Sequence, residues 1–98
     1  GCNDRAQLAE LGAELNRRVL RDWMARGVGV VDPSSTWVDV TAELAQDVTL
    51  EQGVLVRGTT RIGQGARVGA YAILTDAVIP AGCVVAPFSQ FDADGVQG

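Results

Sequence analysis

The sequence predicts a mainly β fold, a parallel β-helix of about three coils preceded by one long α-helix. Two observations carry that expectation. From Val38 to Phe91 an aliphatic residue recurs every six positions, at Val38, Leu44, Leu50, Val56, Ile62, Val68 and Leu74. Four residues after each stands a small or β-branched one: Ala42, Val48, Val54, Thr60, Ala66, Ala72 and Val78. The next step is one residue short, and the rows resume at Ile79, Val85 and Phe91, with Cys83 and Ser89 as small partners. A period of six keeps the two-residue alternation of a strand and breaks the 3.6-residue turn of a helix. Self-similarity this regular marks a solenoid, in which each short strand buries its aliphatic residue against the coils above and below. The second observation lies upstream, where Leu8, Leu11, Leu15, Val19 and Trp23 fall three or four apart on one helical face.

Each element has a local cause. The helix runs from about Asp4 to Arg26, with Asn3 or Asp4 as N-cap and Gln7 at the capping-box spacing from Asp4. Arg18, Arg21 and Arg26 complement the dipole at its far end, and Gly27 stops it after roughly 33 Å. Residues 28–37 form an extended connector, with a turn at Asp32-Pro33-Ser34-Ser35 because proline fixes its own φ and turns Asp32 away from helix. Trp37 is expected to cover the first coil. Residues 38–98 then form the coils, with Ile62-Gly63 and Val68-Gly69 as hexapeptide pairs and a tightened corner between Leu74 and Ile79. After Phe91 the polar, glycine-rich stretch Asp92 to Gly98 reads as a frayed tail with no cap. Three units follow: a helix over 1–27, the connector over 28–37 and the solenoid over 38–98.

Composition narrows the function. The net charge is -4, and all 8 basic residues are arginine. An acidic chain without a basic stripe points away from nucleic acid and from an anionic membrane surface. No run of about 18 apolar residues offers a membrane span, and the first twenty residues lack a signal-peptide pattern, so a cytoplasmic protein is expected. Cys2 and Cys83 have no metal-ligand spacing, and Cys83 sits at a small interior position, so both are expected to be reduced. There are 0 histidines, which removes the usual general base and a common metal ligand.

The other candidates for chemistry are weak. Ser34 and Ser35 have no histidine or lysine to activate them. Asp92 and Asp94 are two carboxylates that solvent accounts for. Arg57, Arg61 and Arg67 on neighbouring hexads offer a positive strip on one face, weighed against simple solvation. Arg17, Arg18 and Arg21 on the helix stand the same way. Gly63-Gln64-Gly65 suits a solenoid corner and precedes no helix, so it is no phosphate loop.

The order of these pieces resembles one family. Gly1-Cys2-Asn3-Asp4-Arg5-Ala6-Gln7-Leu8 is similar to the G-V-N-x-R-x-Q-L segment that opens the linker helix of bacterial GlmU. Gly27-Val28…Asp32-Pro33 resembles that family's G-V…D-P strand, and Asp47-Val48 onward its first coils. Ala77-Val78-Ile79 and Ala86-Pro87-Phe88 resemble its S-V-I-G and S-P-Y stretches. The resemblance implies a left-handed coil and the family's chemistry. That chemistry is acetyl transfer from acetyl-CoA to glucosamine 1-phosphate, then uridylyl transfer from UTP to give UDP-N-acetylglucosamine. Asn3 matches an asparagine that helps bind Mg²⁺ there, set against a plain role as helix cap. The nucleotide-binding domain would precede Gly1, and the R-L-R-P-G segment and catalytic histidine would follow Gly98.

The expectation is therefore a partial GlmU-like chain, inactive alone, with no catalytic or cofactor-binding residue of its own. Mg²⁺ and acetyl-CoA are implied only for the whole family. The solenoid is expected to assemble as a homo-trimer, without nucleic acid, membrane or ligand. A self-contained structural or trimerisation module is the alternative. A small acyltransferase with unfamiliar residues stands third, against the missing histidine.

Overall fold

A computed structural model describes residues 4–96. Helix α1 spans Arg5–Ala25. Twelve short strands follow: β1 (Gly29–Val30), β2 (Trp37–Val38), β3 (Glu43–Leu44), β4 (Thr49–Leu50), β5 (Leu55–Arg57), β6 (Arg61–Ile62), β7 (Arg67–Val68), β8 (Ile73–Thr75), β9 (Val78–Ile79), β10 (Val84–Val85), β11 (Gln90–Asp92) and β12 (Gly95–Val96).

Every third strand stacks on its predecessor. One sheet runs β1-β4-β7-β10, a second β2-β5-β8-β11 with β12 at its end, and a third β3-β6-β9. All pairs but β11 with β12 are parallel, so the chain is a β-solenoid of about 4 turns led by one helix. The extra turn over the expected three comes from β1. It pairs Gly29 with Thr49 and Val30 with Leu50, so the Val28–Val30 stretch belongs to the first coil.

The core is the repeat itself. Leu50, Val54, Val68, Ala72 and Leu74 have no exposure, and Val56 and Ile62 almost none. One inward row shows how the rows are filled: Val38, Val56, Leu74 and Phe91 stand in register through four coils. Larger side chains come toward the C-terminal end, where Phe91 is half-buried against the core. The buried polar groups are satisfied: Thr60 Oγ1 donates to the Arg57 carbonyl at 2.7 Å, and Thr36 Oγ1 to that of Asp32 at 2.8 Å.

Gly63 and Gly69 are required by close approach. A Cβ on Gly63 would lie 2.7 Å from Ala81 Cα, and one on Gly69 2.6 Å from Pro87 N. Backbone from the next coil fills the space a side chain would need.

Four expectations need correction. The small interior residue of the shortened step is Ala77, 2% exposed, while Val78 faces out at 73%. The missing residue is taken from the corner, where Asp76 adopts φ 51° and donates its N–H to the Arg57 carbonyl. Trp37 does not cover the first coil, because alternation along β2 buries Val38 and turns Trp37 outward. The helix buries Asn16 and Leu20, while Leu8, Leu11 and Leu15 stay more than half exposed. At 100° per residue Leu15 and Leu11 lie roughly 100° and 140° around the helix from Asn16, which explains the split. Lastly, the stretch after Phe91 turns back as β12, with Asp94 N donating to Asp92 Oδ1 at 2.8 Å.

Candidate functional site

The junction of α1 with the first coil carries the most constructed chemistry in the chain. Asp4 caps the helix, its Oδ1 accepting the Ala6 N–H at 2.8 Å. Asn3, the other capping candidate and the Mg²⁺ position implied by resemblance, lies outside the described residues, as does Cys2. Past Arg26 the chain reverses at Gly27 (φ 98°), and the Val28 N–H returns to the Trp23 carbonyl at 3.0 Å. That reversal lays the second half of α1 over the first coil.

There the side chain of Asn16 acts as a piece of strand. Its Nδ2 donates to the Thr36 carbonyl at 2.7 Å, and its Oδ1 accepts the Val38 N–H at 3.0 Å. In a parallel ladder a residue bonds the carbonyl before and the N–H after its opposite number. The Asn16 amide does the same opposite Trp37, on the edge of β2 that no coil covers. Both of its hydrogen bonds are buried, and Leu20 beside it is fully enclosed in the core. An asparagine closes the first turn of the solenoid.

Around this clamp lies a cleft of about 320 Å³, lined by Gly12, Leu15, Asn16, Trp37 and Val40 among others. It is open and holds one carboxylate, Asp39, which accepts the Gly58 N–H at 2.8 Å. Among the described residues no group of three or more His, Cys, Asp or Glu is arranged to hold a metal ion.

The turn before β2 uses its polar groups internally. Ser34 Oγ and Ser35 Oγ donate to the two Asp32 carboxylate oxygens at 2.7 and 2.8 Å, and Ser35 Oγ accepts the Gly53 N–H at 2.9 Å. Those donors hold the Asp32 carboxyl below its ordinary pKa. The serines are thus hydrogen-bond donors to a carboxylate, and neither is set up as a nucleophile. Glu14 is likewise lowered, by the Arg17 hydrogen bond and charge and by Arg18. Exposed pairs of this kind contribute little to stability.

The arginine strip does not form. Arg57 is on β5, Arg61 on β6 and Arg67 on β7, one in each of the three sheets. Arg61 meets Glu43 at 3.5 Å and Arg67 meets Glu51 at 3.1 Å, each pair bridging adjacent coils. Cys83 is a free thiol, half-buried in an interior row.

One corner is aromatic. Ser35, Gly53, Tyr71 and Phe88 occupy the same place in successive coils, and Tyr71 and Phe88 stack with ring centroids 5.4 Å apart. Both have φ of 62°, a region that side chains other than glycine seldom take. The Tyr71 ring lies over Gly53, whose own Cβ would collide with it. Neither the Asn16 clamp nor this stack is announced by any pattern of side chains along the chain.

Fold and junction together define a class: a hexapeptide-repeat solenoid with a helix seated on its first coil. No family profile matches the chain. Individual relatives do. The chain is 55% identical over 85 residues to the bifunctional protein GlmU of Kineococcus radiotolerans, and equally to that of Micrococcus luteus. Over its full length it is 52% identical to GlmU of Rhodococcus jostii. By sequence it is a counterpart of one segment of bacterial GlmU. It spans 17 to 23% of the length of these three relatives.

Proposed function

We propose that this chain is the joint of a GlmU-type enzyme of UDP-N-acetylglucosamine synthesis, the piece that fixes a leading helix to the first coils of a solenoid. The observation that carries the proposal is the Asn16 clamp within a segment 55% identical to GlmU over 87% of the chain. Such a clamp sets the direction of α1 relative to the coil axis, and so would orient whatever the helix leads from. The chemistry proposed for the whole enzyme is acetyl transfer from acetyl-CoA to glucosamine 1-phosphate, followed by uridylyl transfer from UTP.

Among its described residues the chain supplies no group for either step. The described residues offer neither a general base with its partner nor a metal-binding cluster, and Arg57, Arg61 and Arg67 are dispersed over the three sheets. Asn3 as a Mg²⁺ ligand needs carboxylates or phosphates from elsewhere, since a lone amide is a poor site for that ion. The purified chain, given acetyl-CoA with glucosamine 1-phosphate, or UTP with N-acetylglucosamine 1-phosphate and Mg²⁺, should not exceed a no-protein blank. Turnover in either assay would overturn this reading.

A second reading, favoured by the continuous four-deep stack, is a self-contained assembly module whose solenoids pack side by side as a trimer. Light scattering across a concentration series separates the two. A constant threefold mass supports the module; a monomer supports the joint of a larger enzyme. No described helix is long and apolar enough to cross a membrane, and we place the protein in the cytoplasm.

A further inference from the structure

The Asp32-Pro33 turn carries chemistry that the proposed function does not use. The carbonyl joining the two residues is well supplied with donors: Thr36 Oγ1 donates to it at 2.8 Å and the Ser35 N–H at 3.2 Å. Thr36 is fully enclosed. The carboxylate of Asp32 folds forward along the chain, where its Oδ1 accepts the Ser34 N–H at 3.3 Å and Ser34 Oγ at 2.7 Å. The first of these contacts closes a ring of backbone and side-chain atoms that contains the Asp32–Pro33 bond. Oδ2 accepts one donor, Ser35 Oγ at 2.8 Å. A carboxylate oxygen has two lone pairs, so one on Oδ2 stays free. On α1, Arg17 shares a cleft with Pro33 and Ser34 and is paired with Glu14 at 2.9 Å, while the next coil presents the uncharged Gly53.

From these contacts we infer that the Asp32–Pro33 bond is a self-cleavage site triggered by acid. Oδ2 of Asp32 attacks the carbonyl carbon of its own residue, and a cyclic anhydride forms. The C–N bond to Pro33 breaks, and the proline nitrogen takes a proton from the acidic solvent and leaves as a new amino terminus. Water then opens the anhydride and gives Asp32 a free α-carboxyl, so the net reaction is hydrolysis of one peptide bond. A carboxylate is a competent nucleophile when it is held beside its target. The Thr36 and Ser35 donors stand on the oxygen that gains negative charge as the carbon becomes tetrahedral. The leaving nitrogen belongs to a tertiary amide. Hydrogen bonds from Ser34 and then Ser35 hold the Asp32 carboxyl below its ordinary pKa, so the ionised nucleophile persists where acid is available. The cut falls between α1 and the repeat without freeing them. Gly29 and Val30 stay paired with Thr49 and Leu50, and Asn16 still bonds Thr36 and Val38 across the break.

The test incubates the full chain at the lowest pH at which circular dichroism keeps the native signal, beside a sample unfolded in urea at the same pH. Mass spectrometry under denaturing conditions should find a piece ending at Asp32 and one beginning at Pro33. They should form at least about 10-fold faster in the folded sample. Asp32→Asn, which lacks the nucleophile, should leave this bond intact. Thr36→Val should slow the folded rate by about 10-fold and leave the unfolded rate unchanged. Thr36→Ser keeps the hydroxyl and should restore the rate. A folded rate no greater than the unfolded one would overturn the inference, since the fold would then add nothing to the ordinary acid lability of an Asp–Pro bond. So would equal rates in Thr36→Val and Thr36→Ser, or cleavage that persists in Asp32→Asn. The comparison of folded and unfolded chain decides the matter even where Thr36→Val does not fold.

Discussion

Replacing Asn16 by alanine removes both bonds of the clamp at once. The Thr36 carbonyl and the Val38 N–H would be left without partners on residues that are 0% and 4% exposed. A buried backbone group so orphaned costs about 1–3 kcal/mol, which puts the pair at about 2–6 kcal/mol. The cleft alongside Asn16 gives water some access, so the lower half of that range is the expectation. In a domain of this size a loss of about 2–4 kcal/mol lowers the thermal midpoint by roughly 10–30 °C. Urea unfolding followed by tryptophan fluorescence reads the effect directly, since Trp37 stands opposite Asn16 and Trp23 is partly buried against the core. The midpoint should fall with little change in slope. Leu11→Ala, at a side chain 67% exposed, is the control and should stay within about 0.5 kcal/mol. If Asn16→Ala matched that control, the amide would not be standing in for a strand. Asn16→Asp sharpens the test: the carboxylate can still accept from Val38 but faces the Thr36 carbonyl with like partial charge. Its folded pKa is then raised, so its stability should be best at acid pH, where the protonated form donates, and should fall as pH rises through that value.

Other expectations follow from the same geometry. Gly63→Ala should destabilise by about 1–3 kcal/mol, because backbone of Ala81 fills the site, while Gly12→Ala in the open middle of α1 should stabilise by about 0.5–1 kcal/mol; chemical denaturation gives both signs. Arg61→Ala should change stability by less than about 1 kcal/mol, since its pairing with Glu43 is exposed and screened by salt. The lowered pKa of Asp32 makes its contribution present above the ordinary value of 3.8 and lost as pH falls through the folded value. Asp32→Asn should therefore flatten part of the acid limb of a melting-temperature profile, and an unchanged limb would remove Asp32 from the account.

The solenoid was legible because its cause is local. A six-residue period fixes which side chains face inward whatever the rest of the chain does. The first coil escaped that ruler for a simple reason. Eight positions separate Gly29 from Trp37, whereas six separate their partners Thr49 and Leu55, and the two additional residues in the Asp32-Pro33 turn break the count. Ala77 and Val78 are neighbours, and only the corner geometry decides which goes inside. The arginines misled because six residues along the chain move a side chain to the next face; eighteen return it to the same one. Asn16 was invisible for a different reason. Its partners are backbone groups of Thr36 and Val38, and no pattern of side chains announces a backbone edge that needs closing.

The stacking also makes the chain a ruler with discrete marks. Strands in a sheet lie about 4.8 Å apart, so the three steps from β1 to β10 set an axial distance of about 14 Å. An insertion of eighteen residues in the repeat would lengthen that distance by one step and leave every face aligned. An insertion of six would instead turn everything after it by a third of a revolution. Length and orientation in this molecule cannot be varied continuously or independently, and any change that keeps its faces in line must come in whole coils.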